Sequence, residues 1–82
     1  MNPRDKRDSR KLLDFLHARD RKTIEQEELI SELNALTGRS HAEGKALIEL
    51  CDGQGWLTGV AARFTGKIWA INDEGELARL QL

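Results

Sequence analysis

Apolar residues recur along this chain first at helical spacing and then at strand spacing. Leu12, Leu13, Phe15 and Leu16 line one side of a first helix that Asp8 or Ser9 can cap. Before it, MNPRDKR offers nothing to pack, which predicts a flexible basic arm over residues 1–8. Arg19-Asp20-Arg21-Lys22 reads as a helix end and turn, and Thr23-Ile24 as a brief strand or the entry to the next helix. Leu29, Ile30, Leu33 and Leu36 mark an amphipathic helix from Glu25 to about Leu36, with Glu25, Glu27 and Glu28 at the positive end of its dipole. Thr37-Gly38 ends it, Gly38 suiting the left-handed position past a helix. Ser40 and Glu43 match a capping box that opens a third helix. Its expected inner stripe is Ala46, Leu47, Leu50 and Cys51, with His41, Lys45, Ile48, Glu49 and Asp52 turned away.

Trp56–Val60 and Lys67–Ile71 then read as strands joined by a hairpin loop over residues 61–66. Asn72 or Asp73 can cap a short closing helix, which Leu77 and Leu80 are expected to fix to the core, with Trp69 packed beneath it. The order is α+β: three helices, a two-stranded antiparallel ribbon and a short C-terminal helix, as one domain over residues 9–82. Thr37-Gly38-Arg39-Ser40 is a joint of helix-turn-helix length.

Hydrophobic residues make up 39% of the chain and charged residues 33%, a mix that folds. The formal net charge is −1, which excludes a uniformly basic surface. The charge is segregated nonetheless. Arg4, Lys6, Arg7, Arg10, Lys11, Arg19, Arg21 and Lys22 outweigh the acids of the first 23 residues, whereas residues 24–55 are strongly acidic. Cys51 is the single cysteine, so no internal disulfide forms. It reads as a small buried apolar group. No leader pattern and no apolar run near the ~20 residues of a membrane span is visible, so the expected location is cytoplasmic with no membrane partner.

Three stretches resemble the winged helix-turn-helix superfamily, over about residues 9–80. IEQEELISELNAL (24–36) is similar to the first helix of the motif. ALIELCDGQGWL (46–57) resembles its recognition helix running into a wing strand, and INDEG (71–75) resembles the exit into the closing helix. The resemblance implies a winged-helix fold and, most often, binding of duplex DNA, with residues 40–52 in the major groove and the hairpin on the backbone or minor groove. Carried onto this chain, Arg39, Ser40 and Lys45 are phosphate contacts. His41 is a base or phosphate contact, Ile48 meets a thymine methyl, and Arg63 and Lys67 grip phosphates from the hairpin. The basic arm can do the same.

Glu49 and Asp52 share the Lys45 face and oppose phosphate binding. The alternative is therefore a protein-interaction module whose surface includes Glu25, Glu28, Glu32, Ile48 and Glu49. Self-association stays open. His17, His41 and Cys51 lack metal-ligand spacing, and no nucleophile–base signature is present. The expectation is a DNA-binding regulator or accessory factor, with no enzyme activity, cofactor or metal.

Overall fold

In the computed structural model, which describes residues 1–64 and 66–82, the chain is already helical at Pro3. Helix α1 spans Pro3–Ala18. Asn2 caps it, its side chain accepting from the Asp5 amide at 2.7 Å, and proline's fixed φ suits the first helical position. The expected arm over residues 1–8 is thus corrected. The anchor is polar rather than apolar: Asp8 is fully buried, and both Asp5 and Asp8 hold Arg39. Leu12, Leu13 and Leu16 bury completely, as their spacing predicts.

Strand β1 is only Ile24–Glu25, followed directly by helix α2 (Gln26–Thr37). Leu29, Ile30 and Leu33 face inward, and Gly38 ends the helix at φ 76° with its amide bonded to the Asn34 carbonyl. Helix α3 (His41–Gly53) starts on the expected capping box: the Ser40 side chain accepts from the Glu43 amide, and the Glu43 carboxylate accepts from the Ser40 amide.

Strands β2 (Leu57–Ala62) and β3 (Gly66–Ile71) pair antiparallel, and helix α4 (Asp73–Gln81) closes the chain. Thr65, within the expected hairpin loop, lies outside the described residues. The sheet has three strands rather than two, in the order β1-β3-β2, because Ile24 and Glu25 pair with Trp69 and Ile68. Among the described residues the architecture is α+β, with four helices and one antiparallel sheet around a single core.

Helix α3 corrects the expected stripe by about one residue. Gly44, Leu47, Ile48 and Cys51 are buried, Leu50 is half-buried and Ala46 is exposed. Ile48 is 0% exposed and cannot meet a thymine methyl or a protein partner. The cause is the close crossing of α2 and α3: a Cβ on Gly44 would lie 3.4 Å from Ile30, so this turn faces α2. Helix α4 departs similarly. Gly75 and Ala78 point inward, while Leu77 and Leu80 remain 57% and 73% exposed. Its phase is set by Asn72, whose amide bonds to the Trp56 carbonyl and whose side chain both bonds to the Gly55 carbonyl and caps the helix.

Trp69 packs at the sheet and not under α4. Its ring lies over Gly59, where a Cβ would come within 2.5 Å of it, and its indole N–H donates to the Gln26 side chain at 3.1 Å.

Candidate nucleic-acid interface

The outer face of α3 meets the hairpin in a depression of about 340 Å³. Gln26, Lys45, Glu49, Asp52, Gly66, Lys67 and Trp69 line it. Helical spacing puts Lys45, Glu49 and Asp52 on one exposed stripe, and the β3 alternation puts Lys67 and Trp69 on the facing side. The Lys67 ammonium sits 5.1 Å from the Trp69 ring centroid, a cation–π contact that holds its charge at the rim. Two lysines and two carboxylates therefore share this concavity.

Five of the six expected contact residues divide into three groups. Lys45 and Lys67 come together at the depression. Arg63 lies in the β2–β3 turn, exposed, with its guanidinium 5.4 Å from the ring centroid of Phe64, itself 89% exposed. Ser40 and His41 are at the start of α3, where the Ser40 oxygen is occupied by the cap. His41 is exposed and pairs through Nε2 with Glu27 at 2.8 Å, tying α3 to α2.

Arg39 is the exception, and its expected phosphate contact is corrected. Only 6% exposed, it donates through Nε to Asp8 at 2.8 Å, through a second nitrogen to Asp5, and through the third to the Glu43 carbonyl. Its backbone is equally held: the carbonyl accepts from Asn34 at 2.8 Å and the amide donates to Thr37. Burial alone would push the Arg39 pKa down and the Asp8 pKa up. Hydrogen bonds and charge reverse both, so Arg39 is raised and Asp8 lowered. The residue joins α1 to the α2–α3 turn and is closed to a ligand. The sequence hint was Asp5 and Asp8 at i, i+3, one face of a helix extending back to Pro3.

The basic residues of the N-terminal segment form a stripe on α1, where Lys6, Arg7, Arg10 and Lys11 flank a groove of about 510 Å³ that includes Leu82. Lys11 donates to the Leu36 carbonyl at the far end of α2, and Arg10 to that of Leu82. This stripe is separate from the depression, whose lining it does not share.

Cys51 is fully buried with its Sγ 3.4 Å from the Ser9 hydroxyl, and burial pushes the thiol up to about 11, so it is not a nucleophile. His17 bonds Glu76 across α1 and α4 at 2.7 Å rather than its own last-turn carbonyls. Among the described residues no cluster of three His, Cys, Asp or Glu side chains could hold a metal ion, and no helix is long and apolar enough to cross a membrane. Comparison with protein-family models, with curated proteins and with solved structures found no match.

Proposed function

We propose that this chain is a winged-helix module that binds duplex nucleic acid through the start of α3 and the β2–β3 hairpin, as a small DNA-binding regulator or accessory factor. The observation that carries the reading is the meeting of Lys45 and Lys67 at one depression, with Arg63 beyond them on the hairpin. The depression lies between the outer faces of α3 and the hairpin, where an extended surface can reach both lysines at once. His41 stands exposed at the start of the same helix and would leave its Glu27 partner to meet a base edge or phosphate. The phosphate grip comes chiefly from the hairpin, because Glu49 and Asp52 repel phosphates from the later turns of α3.

Fluorescence anisotropy with a labelled DNA duplex over a salt series tests this. Binding is expected at low salt, weakened by Lys45→Glu. The log–log salt slope should fall by about one in Arg63→Ala and again in Lys67→Ala. Glu49→Gln/Asp52→Asn should tighten binding. Absence of binding at low salt removes the proposal.

The two carboxylates also favour a second reading, a protein-interaction module for a basic partner, supported by the acidic exposed face of α2 at Glu27 and Glu28. The same double variant separates the two, since it would weaken capture of a basic protein surface. Ile48→Asp is no test of either, because Ile48 is core.

A further inference from the structure

We propose that the outward face of α4 is a self-association surface, on which two copies of this chain pair with their α4 helices antiparallel across a twofold axis. This does not depend on what α3 and the hairpin bind.

Leu77 and Leu80 lie one turn apart on this face, 57% and 73% exposed, with half-buried Trp56 and Leu82 extending the apolar patch beside Leu77. Charge at the two ends of the face selects the occupant. Glu74, at the N-terminal end, is exposed and has no ion-pair partner among the described residues. At the other end Leu82 sits among Lys6, Arg7, Arg10 and Lys11 of α1, a net basic cluster even with Asp14 paired to Arg10 at 3.7 Å, and Arg10 donates to the Leu82 carbonyl at 3.3 Å. Helices α1 and α4 run antiparallel, as the contacts His17–Glu76, Asp14–Arg79 and Arg10–Leu82 show. The basic cluster of Lys6, Arg7 and Arg10 is therefore fixed at the C-terminal end of α4.

A parallel pairing of two such faces sets acid on acid and base on base. An antiparallel pairing centred on Leu77 and Leu80 sets each Glu74 toward the other copy's Arg10 cluster, twice over, and a twofold axis requires that reciprocity. The α4 helix is only about 13 Å long, so the interface is small and the dimer weak and concentration-dependent.

Sedimentation equilibrium from tens of micromolar to millimolar chain tests it. The weight-average mass should rise from that of one chain, 9.3 kDa, toward that of two. Leu77→Glu/Leu80→Glu should hold it at one chain with unchanged far-UV circular dichroism, since both side chains are already in water. Glu74→Arg and Arg10→Glu (with Lys6→Glu as a second variant at that end) should each weaken dimerisation about tenfold, each reversal acting twice across the axis. An equimolar mixture of Glu74→Arg with Arg10→Glu should recover wild-type association, because every altered pair is again opposite in sign. A wild-type mass fixed at one chain, a mass climbing beyond two, dimerisation indifferent to the leucine substitutions, or a mixture no tighter than its components would each overturn the proposal.

Discussion

Removing the Arg39 side chain would leave the fully buried Asp8 carboxylate with, among the described residues, Arg7 at 3.2 Å and Arg4 at 3.8 Å, both largely solvated. Breaking a buried pair from one side strands a charge, so Arg39→Ala should cost about 3–5 kcal/mol in urea unfolding. Asp8→Ala/Arg39→Ala should cost less than the two single changes added, because no charge is then stranded. The pair also fixes a pH dependence. The Asp8 pKa lies below its ordinary value despite burial, because Arg39 and Arg7 hydrogen-bond the ionised form. Its stabilisation is thus complete above about pH 4, the unfolded aspartate range, and is lost as pH falls from there through the lower folded value. Acid unfolding followed by circular dichroism should show this loss in the wild type and lack it in Asp8→Asn. Sequence reasoning missed the pair because it treated the absence of apolar residues before Leu12 as absence of anchorage. Asn2-Pro3 already carried a helix-start signal.

At the scale of elements, helical periodicity located α2 and α3, and the turn chemistry of Gly38, Ser40 and Glu43 placed the joint between them. What periodicity did not settle was phase. In α3 an inner stripe centred on Ala46 and Leu50 competes with one centred on Gly44 and Ile48, and only the approach of Ile30 to Gly44 decides between them. The same ambiguity hid the outward turn of Leu77 and Leu80, and two residues are too few for alternation to declare β1. That Lys45 and Lys67 are exposed was legible from their places on α3 and β3, but their meeting at one depression was not, because it depends on how α3 packs against the hairpin. Gly59 is where the hairpin depends on a missing side chain: Trp69 fills that space. Gly59→Ala should lower stability by about 1–3 kcal/mol and alter the near-UV circular dichroism of the indole. Gly53→Ala, with open space around its Cβ, should leave that signal unchanged and serves as the control.

Over the whole molecule the core runs unbroken from the α1 leucines through Cys51 to Trp69 and Ile71. Cys51, fully buried within it, therefore reports global opening. Its thiol should react with a disulfide reagent at a rate that follows the unfolded fraction as urea is raised, and a fast rate below the transition would show local opening instead. Charge is partitioned on the same scale, with the α1 stripe basic and the exposed side of α2 acidic, so the near-zero net charge hides two faces of opposite sign. The placement of Trp69 has one more effect. Its ring forms the floor of the depression, touches Lys67 from below and is fastened to Gln26. Any ligand that draws the Lys67 ammonium off the indole changes the local field on that ring, so the protein carries an optical reporter at the place where it is expected to meet its partner, and occupancy can be followed by intrinsic emission without a dye.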